Sequence, residues 1–188
     1  MTTAARRPGR PRSISRDMLA EAACELFLEN GYDDTSVTDI ASRAGIGRSS
    51  FFNYAATKAE LLWGGLDERI AAAAAAVDEG AAAEDALRRA AARLAPDALA
   101  LAIANASAMR IEASLEQESA LRAHRAAVLA ARALRRDGAD PLAADVTGGA
   151  YGAALLAAIR AWALAGAGTA PLSDWLDRAL AAVPAPAR

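Results

Sequence analysis

The sequence has very little of the chemistry on which metal sites and disulfide-stabilised folds depend. Its 188 residues include one cysteine and one histidine. A lone cysteine can form neither an intramolecular disulfide nor a cysteine-based metal cluster. Cys24 stands beside the apolar residues Leu26 and Phe27, which favours a buried thiol over a redox role. We therefore expect no metal and no cofactor.

Motifs for catalysis are also missing from the part of the chain that follows residue 60. It has no glycine-rich nucleotide loop, no G-x-S-x-G elbow and no H-E-x-x-H motif. His124 is its single histidine, and an isolated histidine on an arginine-rich helix is usually a surface residue. Acids and bases recur there at the spacing of helix surfaces rather than in a cluster. The sequence thus argues against an enzyme.

Residues that favour strands are scarce, with three each of Phe, Tyr and Trp against 56 alanines. Because alanine is the best helix former and aromatic residues favour strands, an all-α fold is expected. The longest charge-free run, residues 146–159, includes three glycines and is shorter than the roughly 20 apolar residues of a membrane span. The arginine-rich start lacks the apolar stretch of a secretory signal. These features predict a soluble, cytoplasmic protein.

The net charge of −2 conceals a strongly uneven distribution of charge. Residues 1–16 hold five arginines and no acid, whereas residues 17–39 hold seven acids and no base. Residues 1–14, rich in Arg, Pro and Gly, are predicted to be a flexible basic arm. Arg10 and Arg12 in this arm are candidates for insertion into a DNA minor groove. A solubilising tail is an equally good explanation of the same residues.

Residues 15–60 are predicted to form three short helices in a helix-turn-helix arrangement. An apolar stripe with helical spacing runs from Leu19 to Phe27 and stops at Asn30-Gly31. Ser36 followed by Asp39 resembles a capping box, and a turn of three residues, 45–47, separates that helix from the next, 48–54. Residues 57–60 form another capping box at the start of a long helix. Two short helices with such a turn are typical of DNA-binding proteins.

The second of these short helices has a polar and a buried face on a helical wheel. Arg48, Ser49, Phe52 and Asn53 share one side, while Phe51, Tyr54 and Ala55 share the other. Arginine can donate two hydrogen bonds to guanine, and an aromatic ring can cover a thymine methyl group. The first set therefore predicts contacts with bases, although an exposed phenylalanine could instead be a dimer contact or chance composition.

Three stretches of the chain, residues 21–32, 35–54 and 57–62, together resemble the N-terminal domain of TetR/AcrR-family repressors. The resemblance implies that one group of residues faces bases: Thr38, Arg48, Ser49, Ser50 and Phe52. It implies that a second group holds phosphates: Ser36, Tyr54, Thr57 and Lys58. The chain departs from the family in having Ala55-Ala56 where a Phe-Pro pair is usual, and Phe52 in place of a tyrosine.

The resemblance further implies that residues 61–188 form a helical domain for ligand binding and dimerisation. We expect helices at residues 84–95, 97–116, 118–136, 142–165 and 173–182. A small-molecule effector would release a homodimeric repressor from a pseudo-palindromic operator in double-stranded DNA. Candidate effector contacts are Trp63, Leu66, Met109, Arg110, Tyr151 and Arg160, although residues of these kinds are more often plain core or surface residues.

The last two helices are the expected dimerisation pair, in which Gly148, Gly149 and Gly152 would allow close approach of helices. The stretch from Arg110 to Arg136, especially Ser119 to His124, resembles the TetR subgroup that includes the mycofactocin regulator, which implies an acyl-CoA-like effector. A different class of protein remains open, namely a helical scaffold whose helix-turn-helix binds proteins and has no specific DNA binding. The two are separated by whether DNA binding depends on salt and on Arg48.

Overall fold

The computed structural model describes residues 14–92 and 94–184, and this part of the chain contains helices and no strands. The N-terminal helices are α1 (Arg16–Asn30), α2 (Val37–Arg43), α3 (Arg48–Phe51) and α4 (Lys58–Asp78). The remaining helices are α5 (Ala83–Ala91), α6 (Ala98–Ala104), α7 (Ala106–Met109), α8 (Glu112–Arg136), α9 (Pro141–Leu164) and α10 (Leu172–Leu180). The prediction of an all-α fold is confirmed.

Local capping explains where the N-terminal helices begin. The side chains of Ser15, Ser36 and Thr57 accept hydrogen bonds from the backbone three residues on, at the starts of α1, α2 and α4. Ser36 and Asp39 form a reciprocal capping box. Each bond satisfies a backbone N–H that has no partner within the helix. These starts were predictable because the caps lie within a few residues of one another in the chain.

The predicted helix over residues 97–116 is wrong. The structure divides this stretch into α6, α7 and the start of α8, with a left-handed residue, Arg110 (φ 54°, ψ 44°), at the end of α7. That conformation costs a non-glycine residue about 1 to 2 kcal/mol. No glycine or proline marks the break. The predicted helix 48–54 is also too long, because α3 ends at Phe51 and continues as a turn.

Helix α4 packs against both the N-terminal helices and the C-terminal bundle. Its buried residues include Leu62, Trp63, Leu66 and Ile70. The Arg122 side chain of α8, only 2% exposed, makes a two-pronged ion pair with Asp67 of α4, at Nε–Oδ1 3.1 Å and Nη2–Oδ2 2.7 Å. Arg122 also pairs with Glu118 and stacks on the ring of Trp63, with 5.1 Å between guanidinium carbon and ring centroid. This buried cluster joins α4 to α8.

Helices α8 and α9 form the most extensive helix pair of the structure, and glycines of α9 allow their close approach. A Cβ atom at Gly148 would lie 2.6 Å from the carbonyl oxygen of Ala127, and one at Gly152 would overlap the carbonyl oxygen of Ala123. Gly149 faces open space instead. Two of the three glycines that were expected to serve the dimer therefore serve packing within one chain.

The packing of the helices explains the apolar composition of α9 and the environment of the single cysteine, Cys24. Helix α9 is long and apolar enough to cross a membrane by length and composition, but half of its most apolar window is buried within the fold, as in a core helix. Cys24 of α1 is buried, and its Sγ lies 3.5 Å from the carbonyl oxygen of Ala98 at the start of α6. Burial, assisted by nearby acids, raises the pKa of this thiol to about 12. Its reactive thiolate form is therefore negligible at neutral pH.

We expect Gly152→Ala to lower the free energy of unfolding by about 1 to 3 kcal/mol, because the added methyl group would force α8 and α9 apart. The measurement is urea unfolding followed by circular dichroism. Gly65→Ala on α4 is the matched control, since its Cβ would meet only Asp97 Oδ2 at an ordinary 3.6 Å. The control should gain up to about 1 kcal/mol from helix propensity. Equal stabilisation by both changes would contradict the close contact.

Candidate nucleic-acid interface and ligand cavity

Helices α2 and α3 have the geometry of a helix-turn-helix. Gly45, with φ 74°, allows the chain to leave α2 in a left-handed turn. The N–H of Ile46 donates to the carbonyl of Ala41 at 2.9 Å, and the N–H of Gly45 donates to the carbonyl of Ser42 at 3.0 Å. These two hydrogen bonds together form the Schellman motif, a common end of α-helices. The sequence after α2 thus folds locally into the tight turn that presents α3.

The burial pattern of α3 and the following turn agrees with the two predicted faces. Phe51 is fully buried and Ala55 is buried, whereas Arg48, Ser49, Phe52 and Asn53 are exposed. The exposed Phe52 ring packs edge-on against Phe51, with 5.6 Å between the ring centroids. The guanidinium carbon of Arg48 lies 5.8 Å from the Phe52 centroid. One cation and one aromatic ring therefore stand together on the solvent side.

Arg48 differs from Arg16 and Arg43 because its charge is not used in an ion pair within the described residues. Arg16 pairs with Glu68 and donates to the carbonyl of Tyr54. Arg43 pairs with Glu25 and Glu29 of α1, and this contact lowers the pKa of Glu29. Arg43 therefore fastens α2 to α1. Arg48 is left to meet an external anion or hydrogen-bond acceptor.

Lys58 is directed at the protein backbone. Its ammonium group donates to the carbonyl oxygens of Tyr32 and, at 2.9 Å, of Thr35. It also lies 4.0 Å from the centroid of the Tyr32 ring. Burial lowers the pKa of this amine, while Asp33 and Asp34 act in the opposite direction. Lys58 therefore holds the loop that joins α1 to α2, hereafter the α1–α2 loop (residues 31–36).

The other predicted phosphate contacts have structural partners of their own. The Ser36 hydroxyl donates to Asp39 at 2.6 Å, which lowers the pKa of that carboxyl. The Tyr54 hydroxyl donates to the carbonyl of Ile14 at 3.0 Å, and Thr57 caps α4. Ser50 is half-buried and Thr38 is exposed at the start of α2. Arg10 and Arg12 lie outside the described residues.

The Ala55-Ala56 departure leaves the entry to α4 well ordered by hydrogen bonds. The N–H of Ala56 donates to the carboxylate of Glu60 at 2.9 Å, and the N–H of Glu60 donates to Thr57 Oγ1 at 3.0 Å. Glu60 and Thr57 thus close the first turn on both sides.

A cavity of about 490 Å³ lies among α4, α6, α7, α8 and α9. Its volume falls in the range of small-molecule sites, roughly 300 to 1,000 Å³. Apolar and polar side chains both line it: Trp63, Ile103, Ala104, Ala106, Ser107, Glu112, Leu115, Glu116, Ser119, Arg160 and Leu164. It can therefore accept a molecule with an apolar body and a few polar groups.

Two of the six predicted effector contacts, Trp63 and Arg160, line this cavity. Leu66 and Met109 are fully buried core residues and are not part of its wall. Tyr151 is likewise absent from the wall; its hydroxyl donates to Glu84 at 3.1 Å, and burial and this bond raise its pKa to about 12. Arg110 lies at the α1–α2 loop, where it pairs with Asp34 at 2.8 Å.

Sequence reasoning missed most of the cavity wall and the buried Arg122. Ser107, Glu112 and Glu116 look like surface residues of the single helix predicted over residues 97–116, and Ser119 looks like a surface residue of the next predicted helix. They line a cavity because the chain turns at Arg110, and nothing in the residue pattern signals that turn. For Arg122 the available signal was Glu118 four residues earlier, the spacing of a helical ion pair.

Comparison with known proteins agrees with this geometry. Residues 19–62 match the family described as "Bacterial regulatory proteins, tetR family". Over 65 residues the chain is 42% identical to the predicted mycofactocin biosynthesis transcriptional regulator MftR of Mycobacterium tuberculosis; the match covers 35% of this chain and 33% of that protein. The aligned segment thus spans about a third of the relative's length.

Solved structures share the fold across most of the chain. The dihydroxyacetone kinase operon activator DhaS is similar with a TM-score of 0.54 and 18% identity, over 90% of this chain and 94% of its own. A transcriptional regulator from Rhodococcus sp. Rha1 has a TM-score of 0.50 and 22% identity, over 90% and 96%. The fatty acid degradation regulator FadR from Bacillus halodurans has a TM-score of 0.50 and 17% identity, over 90% and 97%. The N-terminal helix-turn-helix of the chain thus matches the TetR family of bacterial regulatory proteins, and most of the chain shares the fold of these solved structures.

Proposed function

We propose that the protein is a ligand-responsive transcriptional repressor that binds a pseudo-palindromic operator as a homodimer. Residues 15–60 form its DNA-binding domain and residues 61–188 its effector and dimerisation domain. The observation that carries the proposal is the exposed face of α3 and its following turn. There Arg48 has no ion-pair partner among the described residues and stands beside the exposed ring of Phe52.

The chemistry of this face suits the major groove. Arg48 can donate two hydrogen bonds to guanine, and Phe52 can contact a thymine methyl group. Ser49 and Asn53 are exposed beside them and add further hydrogen-bonding groups. Thr38, at the exposed start of α2, adds a hydroxyl to the same interface. The base-contacting set in this proposal is therefore Thr38, Arg48, Ser49, Phe52 and Asn53, with the half-buried Ser50 at its edge.

The proposed dimer surface is the exposed face of α8 and α9, in place of the α9 and α10 pair expected from sequence. Leu142 and Val146 of α9 are 73% and 67% exposed, and Leu121 and Val128 of α8 are also exposed. The exposed residues of α10 are polar: Ser173, Asp174, Asp177 and Arg178. An apolar surface of this kind is typical of sites that bind another protein. Pairing two copies across it would give the two-fold symmetry that a pseudo-palindrome requires.

The cavity is the proposed effector site. Trp63, Ile103, Leu115 and Leu164 supply an apolar wall, and Arg160 supplies a cation. Arg160 has no ion-pair partner in the described part of the chain, so an anionic group of the effector can meet it. An acyl-CoA-like molecule combines an apolar chain with anionic groups and is one candidate. Binding that favours one arrangement of the DNA-reading helices over another would release the operator.

Arg48→Ala should weaken operator binding by about 5- to 150-fold, the loss of one two-pronged base contact of roughly 1 to 3 kcal/mol. The operator is first found by selecting bound sequences from random duplex DNA with the wild type. Affinity is then measured by fluorescence anisotropy at several salt concentrations. The matched control is Arg89→Ala, an exposed arginine on α5, which should bind as the wild type does.

Failure to enrich any sequence, or equal weak binding by wild type and Arg48→Ala, would sink the regulator proposal. It would favour a helical scaffold whose helix-turn-helix contacts other proteins. Enrichment of a single unrepeated half-site would reject the pseudo-palindrome while leaving DNA binding intact.

Lys58→Met tests whether Lys58 contacts phosphate or positions the α1–α2 loop. The change keeps the aliphatic stem but leaves the carbonyl of Thr35 without its donor, and leaves that of Tyr32 only the N–H of Thr35 at 3.3 Å. Unfolding should therefore become easier by about 1 to 3 kcal/mol. Thermal and urea unfolding measure this effect. Arg132→Met, which removes an exposed ion pair with Asp78 and an exposed 3.4 Å hydrogen bond to the carbonyl of Ala74, should change stability by less than about 1 kcal/mol. Unchanged stability with lost DNA affinity would instead identify Lys58 as a phosphate contact.

Val146→Glu should convert the dimer to monomer, because it places a charge on the exposed apolar surface that Val146 forms with Leu142 on α9. Sedimentation velocity at micromolar concentration measures the change. Leu101→Glu, at an exposed apolar position on α6, is the control and should remain dimeric. A dimer that survives Val146→Glu would place the interface elsewhere.

A further inference from the structure

We infer that the corner between α7 and α8 transmits occupancy of the cavity to the helix-turn-helix, with Arg110 as the positioning residue. This inference rests on the proposed function. The corner, residues 106–112, touches the cavity on one side and the α1–α2 loop on the other. Helix α4 also contacts both, through Trp63 in the cavity wall and Lys58 at the loop, but in the corner the two kinds of contact are separated by a single residue.

The contacts on the loop side are specific. The backbone N–H of Tyr32 donates to the carbonyl of Met109 at 2.8 Å. The guanidinium of Arg110 donates to the carbonyl of Asn30, the last residue of α1, and pairs with Asp34 at 2.8 Å. Asn30, Tyr32 and Asp34 are therefore all hydrogen-bonded to the corner. Their partners there are the neighbouring residues Met109 and Arg110.

Gly31 also supports the position of the Arg110 guanidinium against the α1–α2 loop. A Cβ atom at Gly31 would overlap the Arg110 side chain. Gly31 also has φ 87°, which side-chain-bearing residues rarely adopt. The loop thus has the backbone shape and the open space that seat Arg110. Arg110 in turn reaches it from a left-handed backbone conformation, the only such non-glycine residue in the described ranges.

The corner also forms part of the cavity wall. Ala106 and Ser107 of α7 and Glu112 at the start of α8 line the cavity. Ser107 is separated from Met109 by one residue, and Glu112 from Arg110 by one residue. Because α7 has a single turn, a molecule that pushes on Ser107 cannot move it without moving the Met109 carbonyl. A displacement at the wall is therefore passed directly to Tyr32.

The loop converts such a displacement into a change of the DNA-reading helices. It leads into Ser36, which caps α2, and α2 carries α3 through the Gly45 turn. Lys58 of α4 holds the opposite side of the loop through the carbonyls of Tyr32 and Thr35. The loop is therefore held between α4 and the corner. Moving the corner while α4 stays in place would shift α2 and α3 relative to α4.

Removal of the Arg110 guanidinium is expected to change the position of the α1–α2 loop more than the stability of the protein. Arg110 and Asp34 are both largely exposed, and exposed ion pairs contribute little to the free energy of unfolding. Removal of the guanidinium should therefore leave a folded protein whose two sites no longer communicate. This separates a positioning role from a merely structural one.

A double-mutant cycle tests the inference without knowledge of the effector. Ser107→Trp fills the cavity from α7 and imitates a bound molecule; it should weaken operator binding by about 5- to 150-fold, the usual range of coupling between sites. Arg110→Gly removes the guanidinium and suits the left-handed backbone, so the variant should fold. In the Arg110→Gly background, Ser107→Trp should change operator affinity by less than threefold, roughly the limit of additivity error. Leu101→Trp, on the exposed side of α6, is the control and should have no effect.

Hydrogen exchange at the Tyr32 amide gives a second readout that needs no DNA. Ser107→Trp should accelerate exchange of this amide relative to wild type, while amides in the middle of α9 keep their protection. Equal losses of affinity from Ser107→Trp with and without Arg110 would overturn the inference. So would wild-type exchange at Tyr32 in Ser107→Trp. Should the wild type bind no operator, the proposed function fails, and the exchange experiment alone decides whether the corner and the loop are coupled.

Discussion

The structure depends on the buried ion pair between Asp67 of α4 and Arg122 of α8. Arg122 is almost completely removed from solvent, yet its guanidinium is bonded to two carboxylates and stacked on Trp63. Because a buried charge that loses its partner costs about 3 to 5 kcal/mol, such a pair holds its two helices in one register. Helix α4 begins beside the helix-turn-helix and passes the cavity at Trp63. The pair therefore ties the geometry of both sites to one helix.

Alanine determines how the rest of the bundle is packed. With so many small side chains, helices bury area by approaching closely, as the glycines of α9 approach the α8 backbone. The few large residues then decide where the core is dense; Phe27, Phe51 and Trp63 are among the largest fully buried side chains. Close packing of this kind transmits displacement, since protein interiors have few voids to absorb it. A small movement at α7 can accordingly reach the α1–α2 loop.

Charge in the N-terminal domain is arranged so that one described cation faces outward from α3. Two of the four acids of α1, Glu25 and Glu29, pair with Arg43, whose three hydrogen bonds also fix α2 on α1. Lys58 donates its hydrogen bonds to backbone carbonyls of the α1–α2 loop. The overall negative charge of the protein is therefore compatible with a local surface for DNA, because electrostatic attraction depends on the local distribution of charge.

The sequence by itself determined the helical class, the starts of α1, α2 and α4, and the two faces around Phe51 and Phe52. These follow from interactions between residues at most four positions apart: caps, turns and helical periodicity. Only the tertiary structure decided the break at Arg110, the partners of Lys58 and Arg122, and the side of α9 that meets α8. The bonds of Lys58 to Thr35, of Arg110 to Asn30 and of Arg122 to Asp67 join residues 23 to 80 positions apart in the chain. The close approach of Gly148 to Ala127 likewise joins two different helices. A left-handed arginine without a neighbouring glycine leaves no local sequence pattern, because the residues that stabilise it, Asn30 and Asp34, are distant from it in the chain.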